Sequence, residues 1–176
     1  MKKIVIIGPE STGKSTLCKE LADHYNTVWC PEYAREYLLQ NGMDYTYQDL
    51  VKIAQGQLTL EDYLQHEAGN YYFVDTNMYV MKVWYEVAFQ NCPTWILKTI
   101  ARSTCDLYLL CNTDLPWAYD ELREYPDLKM RQRLFTMYKD IVINSGSPWT
   151  EISGTEGERL QNAIHFIDAF FKSNHS

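Results

Sequence analysis

The sequence lacks an excess of positive charge, since its 176 residues include 16 lysines and arginines against 23 aspartates and glutamates, a formal net charge of −7. A chain this acidic offers no broad basic surface to nucleic acid or anionic lipid. The sequence also lacks an apolar run near the roughly 18 to 20 residues that a membrane span requires. We therefore expect no nucleic-acid partner and no membrane partner, and any bound anion must be held locally.

Cysteine and histidine are few and scattered. The five cysteines contain no C-x-x-C pair, and the four histidines match no metal-ligand spacing. This usage is typical of reduced thiols in the core of a cytoplasmic protein and argues against a structural zinc site. The sequence does not indicate an oligomeric state.

Short apolar runs alternate with longer segments of helical period, a pattern that predicts an α/β fold in which helices cover both faces of a mainly parallel five-stranded sheet. We expect one domain over residues 1–176, with a lid at about residues 112–133, where the chain is polar and interrupted by proline. The predicted strands are Lys3–Ile7, Thr27–Cys30, Tyr71–Val74, Asp106–Leu110 and Trp149–Ile152. The predicted helices are Lys14–His24, Glu32–Asn41, Thr46–Gly69, Asn77–Phe89, Pro93–Thr104, Lys129–Asn144 and Thr155–Lys172.

The segment between the first strand and the first helix matches the pattern G-x-x-x-x-G-K-[ST] of a phosphate-binding loop. Its glycines let successive backbone N–H groups point inward, and the helix that follows adds the positive end of its dipole. Lys14 would contact the β and γ phosphates of ATP, and the Ser15 hydroxyl would be a ligand of Mg²⁺. The predicted ATP-binding residues here are Gly8, Glu10, Ser11, Thr12, Gly13, Lys14, Ser15 and Thr16.

Two carboxylates follow the second and third predicted strands, namely Glu32 and Asp75. The carboxyl ends of parallel strands meet at one edge of the sheet, so both should lie beside the phosphate-binding loop. One could hold Mg²⁺, for which Asp75 is the candidate beside Ser15, while the other orients or deprotonates an acceptor hydroxyl. The alternatives are a turn aspartate at Asp75 and a solvated first-turn carboxylate at Glu32.

Three arginines lie in or beside the predicted lid, namely Arg123, Arg131 and Arg133. Guanidinium groups bind phosphate well because they are planar, charged and bidentate. Surface pairing with neighbouring carboxylates is the alternative, and for Arg35 such pairing competes equally with substrate contact. A loop, an acceptor carboxylate and lid arginines are what a small kinase requires. A guanine-specific switch is disfavoured, because the lysine of its Asn-Lys-x-Asp motif is absent from Asn112-Thr113-Asp114.

The phosphate-binding loop, the Pro-Glu-Tyr-Ala-Arg-Glu-Tyr run at residues 31–37, Val74-Asp75-Thr76, and Pro116-Trp117 followed by Arg123 and Arg131 together resemble the ribosylnicotinamide kinase domain of the NadR family. The resemblance covers nearly the whole chain. It implies a three-layer P-loop kinase fold and ATP-dependent phosphorylation of the 5′-hydroxyl of nicotinamide riboside to nicotinamide mononucleotide. A kinase for another nucleoside or small hydroxylated acceptor, or a non-catalytic nucleotide-dependent switch protein, remains an alternative.

The resemblance also implies roles for individual residues. Arg123 and Arg131 would lie over the phosphates, and the loop that ends at Arg159 would lie near adenine. Tyr33, Tyr37 and Trp117 are the aromatic candidates for contact with the nicotinamide ring. The predicted catalytic residues are Lys14, Glu32, Asp75, Arg123 and Arg131. The predicted substrate-binding residues are Glu32, Tyr33, Arg35, Tyr37, Asp75 and Trp117.

Overall fold

The computed structural model describes residues 1–173 and contains a sheet of five parallel strands in the order β2-β3-β1-β4-β5. The strands are β1 Lys2–Ile7, β2 Trp29–Cys30, β3 Tyr71–Asp75, β4 Leu107–Cys111 and β5 Trp149–Ile152. The helices are α1 Lys14–His24, α2 Tyr33–Asn41, α3 Tyr47–Gln65, α4 Met78–Phe89, α5 Thr94–Arg102, α6 Leu128–Asn144 and α7 Glu156–Ser173.

Alternate residues of the central strands face two separate apolar layers. Ile4 and Ile6 of β1 pack toward α1 and α7, whereas Val5 and Ile7 pack toward α4 and α6. All four side chains are fully buried, and each buried side chain of this size contributes about 1.5–3 kcal/mol. A third apolar cluster joins α2, α3, α4 and α5. The predicted layering is therefore confirmed.

Two predicted boundaries differ from the structure at one junction. The segment that was expected to form a strand from Thr27 pairs only over two residues, because the Thr27 hydroxyl donates to the Tyr71 carbonyl at 2.7 Å. The same hydroxyl accepts from the Gly69 N–H at 3.0 Å. Helix α3 ends at Gln65 rather than Gly69, and a turn then leads the chain into β3.

The phosphate-binding loop follows β1 at the carboxyl edge of the sheet, between β3 and β4. A Cβ atom on Gly8 would lie 2.7 Å from the Cys111 carbonyl oxygen, and Gly8 has a φ of 145°. Glycine is therefore required where the loop leaves the sheet. The adjacent strand ends place the residues after β2, β3 and β4 around this loop, as expected for an open parallel sheet.

Helix α6 begins at Leu128, inside the predicted lid, so the irregular part is residues 112–127, called the lid loop below. Asp127 caps α6 by accepting from the Met130 N–H at 3.0 Å. Within residues 1–173, no helix combines the length and the apolar character needed to cross a bilayer.

Candidate functional site

The phosphate-binding loop is closed by hydrogen bonds to one carbonyl group. The Thr12 hydroxyl donates to the Pro9 carbonyl at 2.7 Å, and the Lys14 Nζ donates to the same oxygen at 2.8 Å. Lys14 is also the first residue of α1, so its charge lies at the positive end of that helix. The loop therefore concentrates backbone donors and one mobile cation at a single point, as binding of a triphosphate requires.

A cavity extends from this loop between α2, α4, α6 and the lid loop. Its lining includes the whole run from Gly8 to Thr16 together with Glu32 and Asp75, so the structure brings both predicted carboxylates and the loop into one space. Asp75 is the last residue of β3, and Glu32 is the residue before α2. Strand ends and a helix start thus hold the polar groups on rigid elements.

Asp75 is fully buried and has one carboxylate oxygen without a hydrogen-bond partner among the described residues. The Ser15 hydroxyl donates to the other oxygen, Oδ2. Burial raises the pKa of Asp75, and the neighbouring Lys14 and the Ser15 hydrogen bond oppose that rise. A buried acidic oxygen without a partner is costly, so this position favours a ligand that can contact it.

Ser15 and Asp75 are the residues that could hold Mg²⁺. This ion binds oxygen ligands, often one or two protein groups together with substrate phosphates. The free Asp75 oxygen and the adjacent Ser15 hydroxyl match that donor set. Within residues 1–173 there is no cluster of three or more His, Cys, Asp and Glu side chains of the kind that holds a metal by protein ligands alone.

Glu32 has a different electrostatic environment from an exposed glutamate. Burial and, second, the charge of Asp75 raise the pKa of its carboxyl to about 7, although the charges of Lys14 and Arg35 oppose this rise. A carboxyl group with a pKa near the working pH can accept a proton from an acceptor hydroxyl and release it later. This environment is compatible with the predicted role of Glu32 beside an acceptor hydroxyl.

The lid loop is attached to the phosphate-binding loop through Glu10 and Ser11. The Glu10 carboxylate accepts from the backbone N–H groups of Glu124, at 3.1 Å, and Tyr125. The Ser11 hydroxyl accepts from the Ala118 N–H at 3.0 Å. Glu10 and Ser11 line the cavity, and their side chains hold the lid loop in this structure. Their contact with ATP stays a prediction.

Two lid arginines differ in exposure and in contacts. Arg123 lines the cavity, donates to the Ala118 carbonyl and lies 3.4 Å from the Ser11 hydroxyl. Arg131 is buried and donates to the carbonyls of Ser11 at 2.8 Å and Leu115 at 3.2 Å. Burial lowers the pKa of Arg131. Of the two, Arg123 is therefore the one placed to contact a phosphate, while Arg131 joins α6 to the loop.

Trp117 does not line the cavity, and its contact with the substrate stays a prediction. The guanidinium groups of Arg123 and Arg131 each lie 5.9 Å from the centroid of its ring. Such cation–π contacts orient a guanidinium group and are worth about 0.5–1 kcal/mol at exposed sites. Trp117 thus positions the lid arginines.

Tyr33 and Tyr37 also do not line the cavity, and their predicted contact with the substrate stays a prediction. The Tyr33 ring packs on Gly56 of α3, where an added Cβ would lie 2.1 Å from the ring. The Tyr37 hydroxyl donates to Asp49 at 2.6 Å. Successive side chains of a helix point in directions about 100° apart. Glu32 can therefore line the cavity while the side chains of Tyr33 and Tyr37 point away from it.

Arg35 and Arg159 form ion pairs with carboxylates outside the phosphate-binding loop. Arg35 lines the cavity and pairs with Asp120 of the lid loop at 2.9 Å and 3.2 Å, which links α2 to that loop. Arg159 is buried and bonded to the Ile152 and Asn112 carbonyls and to Asp114, so it joins the ends of β4 and β5. Arg159 does not line the cavity, although its Cδ would lie 3.9 Å from a Cβ on Gly13, and its contact with ATP stays a prediction.

Sequence reasoning missed the residues that form the apolar part of the cavity. They come from α2, the segment after it, α4 and the lid loop: Leu38, Met43, Val80, Val83, Trp84, Val87 and Leu122. The spacing of Val80, Val83, Trp84 and Val87 is that of one helix face. That periodicity directly after Asp75 was the signal available in the sequence.

A family model described as an AAA domain matches residues 3–159, which run from β1 into α7. The chain belongs to this family. This AAA-domain chain is also similar to the trifunctional NAD biosynthesis/regulator proteins NadR of Salmonella typhimurium and Escherichia coli, with 30% and 31% identity over 127 residues. Each match covers 70% of the chain and 31% of the relative, so the chain spans about a third of the length of these relatives. The resemblance to the NadR family is thereby confirmed.

Solved structures give the same fold. NadR in complex with NR superposes with a TM-score of 0.77 at 24% identity, and NadR with NAD and AMP-PNP gives 0.75 at 22% identity. Each covers 94% of this AAA-domain chain and 48% of the solved chain. Thymidylate kinase from Ehrlichia chaffeensis gives a TM-score of 0.67 at 13% identity, covering 95% and 98% of the two chains. The prediction of a P-loop kinase fold is confirmed.

Proposed function

We propose that the chain is an ATP-dependent kinase that transfers the γ-phosphoryl group to the 5′-hydroxyl of nicotinamide riboside and so produces nicotinamide mononucleotide. The observation that carries this proposal is the shared cavity in which Lys14 and the phosphate-binding loop lie beside Glu32 and Asp75. The NadR relatives, named for NAD biosynthesis, and the NadR complexes with NR and AMP-PNP support the choice of substrates.

In the proposed reaction, the loop amides bind the phosphates and the Lys14 Nζ moves from the Pro9 carbonyl to the β and γ phosphates. Arg123 approaches the transferred group from the lid loop. Mg²⁺, held by Ser15 and Asp75, would neutralise phosphate charge and fix the geometry of the triphosphate. These groups supply the positioning and charge stabilisation on which phosphoryl transfer chiefly depends.

Glu32 is the proposed general base. The acceptor oxygen forms a bond to the γ-phosphorus, the bond from that phosphorus to the β–γ bridging oxygen breaks, and the acceptor proton passes to the Glu32 carboxylate. ADP leaves with the electron pair of the broken bond. The pKa of about 7 suits this exchange, because the group is substantially ionised at neutral pH and holds the proton once it has been transferred.

The test is ADP production from ATP and Mg²⁺ with and without a panel of nucleosides. We expect nicotinamide riboside to stimulate ADP production strongly over the rate without acceptor, with equimolar nicotinamide mononucleotide formed. Stimulation by a different nucleoside alone would assign the chain to another acceptor. Tight nucleotide binding with no acceptor dependence would instead indicate a switch or binding protein.

A further inference from the structure

One end of the cavity has no role in the proposed transfer step. It is formed by Leu38, Met43, Trp84, Leu122 and Glu124, which come from α2, the segment after it, α4 and the lid loop. The four apolar members belong to one packed cluster. We call this set the α2–α4 end of the cavity. Apart from Glu124, its walls are apolar and include the ring of Trp84, so it suits a flat ring better than a phosphate.

Charge distinguishes this end from the phosphate side. The Glu124 carboxylate is held against it by Tyr45, whose hydroxyl donates to both carboxylate oxygens at 3.1 and 3.2 Å. The Tyr45 ring in turn contacts the Trp84 ring edge-on, with centroids 5.0 Å apart. Tyr45 therefore connects an acidic group and an aromatic ring that line the same space.

The basic groups of the cavity are placed elsewhere. Lys14 is bonded at the phosphate-binding loop, Arg123 contacts the segment around Ala118, and Arg35 is paired with Asp120. Glu124 has no cation within salt-bridge distance among the described residues. Burial and the charge of Glu10 raise the pKa of its carboxyl, whereas the Tyr45 hydrogen bond lowers it. A bound cation would favour the ionised form.

We infer that the α2–α4 end selects acceptors whose ring is both aromatic and positively charged, with Trp84 contacting the ring and Glu124 attracting its charge. This inference rests on the proposed function and names what that site would discriminate. An aromatic face attracts a cation placed over it, and a carboxylate at the rim adds a Coulomb attraction that water partly screens. A pyridinium nucleoside satisfies both contacts, whereas a neutral nucleoside of the same shape satisfies neither charge contact.

The experiment compares two acceptors with the same ribose, nicotinamide riboside and its reduced dihydro form, whose ring is neutral and no longer aromatic. KM and kcat are measured for each with the full chain, ATP and Mg²⁺, in wild type, Glu124→Gln, Trp84→Ala and Trp84→Phe. Glu121→Gln is the matched control, because it removes an exposed lid-loop carboxylate that does not line the cavity. The KM for ATP and the melting temperature report on folding.

We expect Glu124→Gln to raise the KM for the charged riboside by about 3- to 10-fold, with less than a twofold change for the neutral one. Trp84→Ala should raise the KM for the charged riboside further, and Trp84→Phe should recover part of that loss. The Glu121→Gln control should resemble wild type. If the ratio of the two KM values in both Glu124→Gln and Trp84→Ala equalled that of wild type, the inference would be wrong, while the proposed function would stand. If wild type phosphorylated neither riboside, the proposed function would fail and this inference with it.

Discussion

Gly56 lies in the interior of α3, where the Tyr33 ring occupies the space that a side chain would need. A Cβ at residue 56 would lie 2.1, 2.4 and 2.5 Å from three ring carbons of Tyr33, distances that no real contact shows. Helix propensity alone predicts that Gly56→Ala stabilises the fold by about 1 kcal/mol. Overpacking of this severity costs about 3 kcal/mol. The Tyr33 ring must move, and this movement strains the hydrogen bond that the Tyr33 N–H donates to the Gln57 side-chain oxygen at 2.8 Å. The net expectation is a loss of about 2 kcal/mol.

Thermal unfolding measures this change. For a chain of this size, a loss of about 2 kcal/mol lowers the melting temperature by about 4–8 °C. In a Tyr33→Ala background the obstacle is absent, so Gly56→Ala should become stabilising, and the double-mutant cycle should give a coupling of roughly 2–3 kcal/mol. The control is Gly157→Ala in α7, where no heavy atom lies within 4 Å of the added Cβ. Stabilisation by Gly56→Ala in the wild-type background would refute the steric reasoning.

Four further predictions concern the cavity. Lys14→Ala should reduce phosphoryl transfer by at least about 100-fold with an unchanged melting temperature; a mutant with near-normal turnover would contradict its contact with the phosphates. The kcat/KM for the acceptor should fall as the pH drops below about 7, because protonated Glu32 cannot accept a proton, and Glu32→Gln should have a low rate without that acidic limb. Chelation of Mg²⁺ should abolish transfer, and Asp75→Asn should raise the Mg²⁺ concentration needed for half-maximal rate by about tenfold; an unchanged requirement would place the ion elsewhere. Glu10→Gln should weaken the two hydrogen bonds that the lid-loop N–H groups donate to the Glu10 carboxylate, and limited proteolysis within residues 112–127 should become faster. Equal rates of cleavage in the two proteins would mean that Glu10 does not hold the loop.

The parallel sheet could be predicted from the sequence, because short apolar runs that alternate with segments of helical period are a local pattern typical of this fold. It was also sufficient to bring Glu32 and Asp75 to one edge, since each directly follows a strand of a parallel sheet. Strand β2 was predicted too long because a side-chain hydroxyl, that of Thr27, replaces ladder bonds there. Such a replacement depends on a partner segment more than 40 residues away in sequence.

The direction of individual side chains was the part that could not be predicted. The Glu-Tyr run suggested that Tyr33 and Glu32 act together, but the partner that holds the tyrosine ring is Gly56, on another helix. The resemblance implied that the loop ending at Arg159 lies near adenine, whereas the Arg159 guanidinium group is buried against carbonyl groups at the ends of β4 and β5. Trp84, in contrast, has no motif of its own and lines the cavity because of the helix face on which it lies.

The lid loop is attached to both halves of the proposed site. Asp120 binds Arg35 of α2, close in sequence to the proposed base Glu32, while other parts of the same loop bind Glu10 and Ser11 of the phosphate-binding loop. A ligand that orders this loop when it binds reduces the conformational entropy that a second ligand, bound at the other attachment point, would otherwise have to remove. By thermodynamic linkage, nucleotide and acceptor should each increase the affinity of the chain for the other by the same factor. Under the proposed function, the Arg35–Asp120 ion pair would then couple the binding of the nucleotide to the binding of the acceptor.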